Sequence, residues 1–90
     1  MEAAAHIIVK GMVQGVGFRY FVYRAAIQYE LKGFVANLFD GTVEIEVEGD
    51  RSVIEQFMKE VKVGPRAAHV ADMQVRWMKP GRHFTAFDIR

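Results

Sequence analysis

The sequence predicts an α+β domain of the ferredoxin-like type, a split βαβ sandwich with two helices on one face of an antiparallel sheet. Two segments carry apolar residues at three- and four-residue steps, as amphipathic helices do, and the segments around them are β-branched or alternate in polarity. Their order is β-α-β-β-α-β, with a short extra strand at the carboxyl end. A chain of 90 residues has room for one two-layer core, so residues 1–90 are expected to form one domain.

The first predicted strand leads into the first predicted helix. Residues 6–13, HIIVKGMV, are short and β-branched, as expected of a strand buried on both faces. A helix is predicted over about 18–31 because apolar residues recur along one side, namely Phe18, Phe21, Val22, Ala25, Ala26 and Tyr29. Gly33 is then expected to end this helix as its C′ residue.

A hairpin is predicted next. FVANLF, residues 34–39, has strand character, and Asp40-Gly41 is a strong turn signal. The following TVEIEVE, residues 42–48, alternates in polarity throughout. Its inward residues are expected to be Val43, Ile45 and Val47, and its water-facing residues Glu44, Glu46 and Glu48.

The second helix is predicted within GDRSVIEQFMKEVKVGP. Ser52 and Glu55 have the spacing of a capping box, and Asp50 is the alternative cap. Gly64-Pro65 is expected to end the helix, because proline cannot continue it.

Two strands are predicted after the second helix. ADMQVRWM, residues 71–78, alternates and places Met73, Val75 and Trp77 on one face, where Trp77 is expected to be core. A turn around Pro80-Gly81 precedes FTAFDIR, residues 84–90, which is expected to be a short edge strand.

Composition excludes several function classes. Twelve Lys and Arg residues against eleven Asp and Glu give a net charge of +1, so no charge excess favours nucleic acid or acidic lipid. Cysteine is absent, which excludes disulfides and thiol catalysis. The start MEAAAHIIVKG lacks the basic and apolar regions of a signal peptide, and no segment has the length of a membrane-spanning helix. A soluble, cytoplasmic monomer with no nucleic-acid or membrane partner is therefore expected.

The turn before the first predicted helix, within VKGMVQGVGFRYF, has the composition of a phosphate-binding loop. Glycines allow positive φ, so successive N–H groups can converge on an anion, and the helix start adds free N–H groups and a positive dipole end. Arg19 lies where that dipole disfavours a cation, and a bound dianion explains its presence. The backbone N–H groups expected to hold phosphate are those of Gln14, Gly15, Val16, Gly17 and Phe18.

A purely structural explanation of this turn stays open. Glycine-rich turns between a strand and a helix also occur where the helix only packs close to its sheet, and an arginine in a first turn can simply be solvated. The loop is not a Walker A motif. It is not a dinucleotide fingerprint either, because Tyr20 stands where the third glycine would fall.

Asn37 is the second unusual residue, because asparagine is a poor strand former. Alternation places it on the same face as Val35 and Phe39, so an inward polar group would need a partner or a use. The alternative is a strand-end or bulge asparagine that bonds to the hairpin backbone.

The stretches VKGMVQGVGFR and GFVANLFDGTVEIEVEG resemble the two signature stretches of the acylphosphatase family, in order and separation, and FDIR resembles the family's ending. The resemblance spans essentially the whole chain. It implies hydrolysis of the carboxyl–phosphate bond of acyl phosphates without metal or cofactor, with phosphate or sulfate able to bind as product or inhibitor. It also implies that Arg19 holds the phosphate and Asn37 positions the attacking water. Two departures are Phe34, where Trp is common, and Ala36, where Arg or Lys is common.

The sequence also leaves two other functions as alternatives. KGFVANLF partly resembles the RNP1 octamer of RNA-binding domains, but its inner positions differ and the first strand lacks a stacking aromatic. A non-catalytic anion-binding or regulatory module is a further alternative. The histidines, at positions 6, 69 and 83, show no metal-ligand spacing, and the three glutamates of residues 44–48 are expected on a solvated sheet face.

Overall fold

We describe a computed structural model of the chain over residues 1–81 and 84–90. In these ranges the elements follow the predicted order. They are β1 Glu2–Met12, α1 Phe18–Gln28, β2 Lys32–Asn37, β3 Val43–Asp50, α2 Arg51–Val63, β4 His69–Met78 and β5 Phe87–Ile89. Neither helix in the described ranges is long and apolar enough to cross a membrane.

The five strands form one sheet in the order β4-β1-β3-β2-β5. β1 is antiparallel to β3 and β4, and β2 is antiparallel to β3. β5 is parallel to β2, so the sheet is mixed and the prediction of a purely antiparallel sheet was wrong at this edge. The ferredoxin-like class is confirmed, because both helices pack on one face of this sheet.

The core lies between that face and the helices. The inward residues of β3, which are Val43, Ile45 and Val47, are fully buried, as predicted. They pack with Ile7 and Val9 of β1 and with buried residues of both helices. A strand with one face buried cannot slip by one residue without exposing its apolar side chains, so this pattern fixes the register.

The bounds of every strand differ from the prediction by a few residues, and the differences in β1 and β2 bear on the site. β1 begins at Glu2 rather than at residue 6, and beyond Ala5 its faces differ, since Ile7 is fully buried while Ile8 is half-buried. β2 ends at Asn37, so Leu38 and Phe39 belong to the hairpin loop. The hairpin itself is confirmed, with Asn37 paired to Val43 and Gly41 at a φ of 91°.

The first helix ends at Gln28, and the expected role of Gly33 was wrong. Glu30 is the left-handed residue, at a φ of 56°. Its N–H donates to the carbonyl of Ile27 at 3.0 Å, and the N–H of Leu31 donates to that of Ala26 at 2.9 Å. These are the two bonds of a Schellman motif, formed here with glutamate where glycine is usual. Gly33 lies inside β2 instead.

Asp50 is the cap of the second helix, which settles the alternative left open between it and Ser52. Its carboxylate accepts a hydrogen bond from the backbone N–H of Ser52 at 3.2 Å. The helix ends before Gly64, as predicted, and the N–H of Gly64 donates to the carbonyl of Glu60 at 3.0 Å.

The outer face of the sheet is less solvated than predicted. Glu48 is only 8% exposed and accepts a hydrogen bond from the Gly81 N–H at 2.8 Å. Glu44 is half-buried and pairs with His6, with 2.8 Å between the carboxylate and ring nitrogen. Trp77 was predicted to be a core residue, and it packs against the core but is only half-buried. It lies on the edge strand β4, with the guanidinium of Arg51 at 4.0 Å from its ring.

Candidate active site

A cavity of about 270 Å³ lies where the loop between β1 and α1 meets the end of β2. It brings together Arg19 and Asn37, the two side chains that the sequence singled out. Its lining residues are Val13, Gly15, Gly17, Phe18, Arg19, Tyr20, Asn37 and Ile89. The cavity is thus lined by the loop before α1 and by residues of α1, β2 and β5.

The loop backbone has positive φ at two alternate positions, as an anion-binding nest requires. Gly15 and Gly17 have φ of 74° and 76°, while Val16 between them has a negative φ. Alternation of left- and right-handed residues turns successive N–H groups toward one side of the chain. The positive φ at both glycines is as the glycine spacing predicted, and binding of phosphate by the N–H groups stays a prediction.

Close packing does not explain these two glycines. A Cβ built on Gly15 or Gly17 would have no protein atom within 4 Å, leaving aside its chain neighbours. By contrast, a Cβ on Gly33 would lie 1.8 Å from the carbonyl oxygen of Glu46, and one on Gly11 would lie 2.2 Å from that of His69. Glycine is needed in the loop for its φ and not for room against the sheet, which disfavours the purely structural explanation.

The start of α1 leaves backbone donors available. Gly17 is the N-cap and has no side chain with which to accept from the first N–H groups, and the first turn has no acidic residue. Such N–H groups carry the positive end of the helix dipole. An anion in the cavity would therefore meet both nest and helix-terminal donors.

Arg19 is held in place by β5. Its Nη1 donates to the backbone carbonyl of Arg90 at 2.8 Å, the guanidinium's one hydrogen bond within residues 1–81 and 84–90. The Arg90 N–H in turn donates to the carbonyl of Val35 at 2.8 Å, which fixes the acceptor against β2. Since a guanidinium has five N–H donors, most of the fork is free for a ligand.

Asn37 lies at the last position of β2, and its side chain is exposed rather than buried as the alternation implied. The strand ends there, so no layer covers it. In the part of the chain that the structure describes, the Asn37 side chain has no hydrogen-bond partner. It does not bond to the hairpin backbone, which was the structural alternative.

The Gln14 side chain makes those hairpin bonds instead. Its Nε2 donates to the carbonyl oxygens of Leu38 at 2.8 Å and Thr42 at 2.9 Å. Sequence reasoning assigned a role only to the backbone N–H of Gln14 and missed this side chain. A signal was present, since Gln14 is the one polar side chain between Met12 and Arg19.

The remaining polar candidates lie apart from the cavity. His6 is paired on the outer sheet face, His69 is exposed on β4, and His83 lies outside the described residues. Within the described ranges no three His, Asp or Glu side chains are placed to hold a metal ion. Phe34 is 8% exposed beneath Phe84 and Arg90, so it presents no free ring for stacking an RNA base.

Comparisons with known proteins identify acylphosphatases as relatives of this chain. The acylphosphatase family model matches residues 5–89. An acylphosphatase of Moorella thermoacetica is 45% identical over 86 residues, 96% of this chain and 91% of that protein. One of Geobacillus kaustophilus is 49% identical over 70 residues, 78% of this chain and 74% of that protein. The crystal structure of acylphosphatase from Bacillus subtilis matches with a TM-score of 0.94 at 40% identity, covering 100% of this chain and 99% of that one.

Proposed function

Because this chain belongs to the acylphosphatase family and is an acylphosphatase, we propose that the cavity between residues 13–20 and Asn37 is its active site. The substrate class is a small acyl phosphate. Water cleaves the carboxyl–phosphate bond and yields a carboxylate and inorganic phosphate. The observation that carries the assignment is that Arg19, Asn37 and the glycine loop all line this one cavity.

Hydrolysis of an acyl phosphate depends more on the positioning of water and the phosphoryl group than on general acid or base catalysis. An acyl phosphate is a mixed anhydride whose carboxylate leaves readily, so the main barrier lies in in-line attack on a charged phosphoryl group. Holding water and phosphoryl group in line, and stabilising charge on the phosphoryl oxygens, supplies most of what is needed. No Asp, Glu or His side chain is found among the described residues that line the cavity.

The phosphoryl group is bound by the loop and Arg19. Backbone N–H groups of residues 14–18 point to the oxygens, which the alternating φ of Gly15 to Gly17 and the uncapped helix start support. The free part of the Arg19 fork completes this set with two further donors. These donors gain most as negative charge redistributes in the transition state.

Asn37 positions the water. Its side-chain oxygen accepts a hydrogen bond from the attacking molecule, and its unpartnered, exposed state in the cavity supports this role. The water's proton passes to an oxygen of the substrate's own phosphate, so the site itself needs no general base.

The acyl group lies at the rim of the cavity. Tyr20 and Ile89, which line it, are 60% and 43% exposed, so a group passing them would extend into solvent. We therefore propose broad acyl specificity. A steep preference among purified acyl phosphates of different size, measured as kcat/KM, would contradict it.

We also propose the oligomeric state, the cellular location and the inhibitors of the enzyme. Residues 1–90 act as one monomeric domain in the cytoplasm, without nucleic-acid or membrane partners, as the near-neutral charge supports. Inorganic phosphate or sulfate occupies the loop as product or inhibitor. Competitive inhibition by both anions, and a monomeric mass by light scattering, are the expected measurements.

The experiment is hydrolysis of benzoyl phosphate in EDTA by the wild-type protein, Arg19→Ala and Asn37→Ala. We expect metal-independent turnover that both substitutions lower strongly but measurably, while Arg24→Ala, on the exposed side of α1, retains it. Full activity of both site variants would overturn the assignment of the cavity. No turnover by folded wild-type protein would indicate an anion-binding module instead.

A further inference from the structure

We propose that Gln14 is a positioning residue, whose side-chain amide sets the placement of Asn37 relative to the phosphate-binding loop. The proposal rests on the proposed function. It assigns a role to a side chain that neither the loop chemistry nor the water-positioning step uses.

The contacts place Gln14 between the two halves of the site. Its Nε2 donates to the carbonyls of Leu38 and Thr42, at 2.8 and 2.9 Å. Leu38 directly follows Asn37, and Thr42 directly precedes Val43, the residue paired with Asn37. Gln14 therefore holds both strands of the hairpin at the level of Asn37, while its own backbone continues into Gly15.

The topology explains why such a link is needed. β1, which leads into the loop, and β2, which ends in Asn37, are not neighbours, because β3 lies between them. Two strand spacings, about 9–10 Å, separate their axes, so no ladder joins β1 to β2 directly and the backbone connection runs through β3. Within the described ranges, Gln14 provides the direct hydrogen bonds between the loop at 13–17 and the hairpin end at 38–42.

The hairpin end needs an external anchor. Residues 38–42 form an irregular five-residue loop in which Asp40 accepts from the N–H and hydroxyl of Thr42, at 3.0 and 2.6 Å. Those bonds shape the loop without attaching it to the rest of the site. Phe39 is fully exposed and provides no packing.

A carboxamide matches this position chemically. Its NH₂ group offers two donors to two carbonyl oxygens. Methionine has similar length and no donor, and glutamate would face both carbonyls with acceptors. In-line attack is sensitive to displacements of about 1 Å, which can cost about 100-fold in rate, so a loosened hairpin lowers kcat.

The test compares Gln14→Met with wild type in kcat, KM and the Ki of inorganic phosphate, alone and combined with Asn37→Ala. We expect kcat to fall on the order of 10–100-fold with Ki changed less than about threefold, because the backbone donors stay in place. In the Asn37→Ala background we expect less than about threefold further loss, because the residue being positioned is already gone. Gln56→Met, exposed on α2, should behave as wild type.

Two results would overturn the proposal. Equal fractional losses in both backgrounds would show that Gln14 does not act through Asn37, and a rise in Ki matching the fall in kcat would place its effect on the phosphate loop. Should Gln14→Met not fold, Gln14→Asn, which keeps the amide but is one methylene shorter, takes its place with the same expected ratios. Failure of the proposed function is distinct, because Asn37→Ala alone would then leave kcat unchanged.

Discussion

The Arg19 guanidinium donates to the backbone carbonyl oxygen of Arg90 across 2.8 Å. Arg19, in the first turn of α1, is thus oriented by Arg90, which directly follows β5. The carbonyl is itself held by the pairing of β5 with β2, through the Arg90 N–H and the carbonyl of Val35. The fork is therefore arranged before any phosphate arrives, which is the condition for strong electrostatic stabilisation.

Arg19→Ala should lower kcat/KM by about 100–1,000-fold, since loss of one oriented donor costs about 3–4 kcal/mol in the transition state. Arg19→Lys should recover only part, because an ammonium cannot hold two oxygens in a plane. The melting temperature of Arg19→Ala without phosphate should change little, because the lost hydrogen bond to Arg90 is offset by removal of an unfavourable cation from the first helical turn. Steady-state kinetics of the two variants and thermal unfolding of Arg19→Ala check these three statements. Full activity in Arg19→Lys would contradict the need for a planar guanidinium.

Asn37→Ala should lower kcat while the Ki of inorganic phosphate stays within about threefold, because the variant keeps every proposed phosphate donor and loses the group that orients water. Asn37→Asp keeps an acceptor oxygen but adds a charge beside the phosphate, so it should bind phosphate more weakly than Asn37→Ala. Inhibition titrations of the three proteins give the comparison. Equal losses of kcat and phosphate affinity in Asn37→Ala would contradict the assigned role.

Glu30→Gly should stabilise the fold by about 0.5–1 kcal/mol. A non-glycine residue in the left-handed region costs about 1–2 kcal/mol, and part of that gain is offset by the greater freedom of glycine in the unfolded chain. Glu55→Gly, inside the exposed face of α2, is the matched control and should destabilise by about 1 kcal/mol. Urea unfolding of both variants is the measurement, and a loss of stability in Glu30→Gly would contradict the strain at this position.

Asp50 should make stability depend on acid pH. Hydrogen bonds from the Met1 ammonium and from Ser52 lower its pKa from 3.8 to about 2. Because the folded-state pKa is the lower one, the stabilisation is complete above pH 4 and is lost as the pH falls toward 2. Asp50→Asn keeps a capping oxygen without the charge.

Thermal unfolding of Asp50→Asn and wild type from pH 6 to pH 2 tests this titration. The wild-type protein should melt higher at pH 6, and the two melting temperatures should converge near pH 2. A difference that stays constant over this range would show that the carboxylate charge does not contribute.

The local sequence pattern predicted the structure correctly where a short repeat determines which side chains are buried. The alternation of Val43, Ile45 and Val47 predicted their burial, because side chains of a strand point alternately to its two faces. The glycine spacing likewise predicted the positive φ at Gly15 and Gly17. Glu30 was missed because the two hydrogen bonds of a Schellman motif outweigh the poor left-handed propensity of glutamate.

Contacts between distant segments could not be predicted in this way. Glu48 is buried and accepts a hydrogen bond from Gly81, 33 positions away, and no local sequence pattern indicates that partner. The same holds at the site, where the Gln14 side chain contacts residues 24 and 28 positions away and Arg19 contacts one 71 positions away. The bond from Arg19 depends on the parallel docking of β5 on β2, which the alternation of the strands does not specify.

That docking also has a kinetic consequence. The loop closed between Arg19 and Arg90 spans 71 positions, and long closures are entropically costly and slow compared with the winding of a helix. During refolding the two helices can form before β5 has reached β2, when Arg19 has no acceptor. During refolding, enzyme activity should therefore return later than the far-ultraviolet circular dichroism signal of the helices. The delay between the two gives the time that β5 takes to dock on β2.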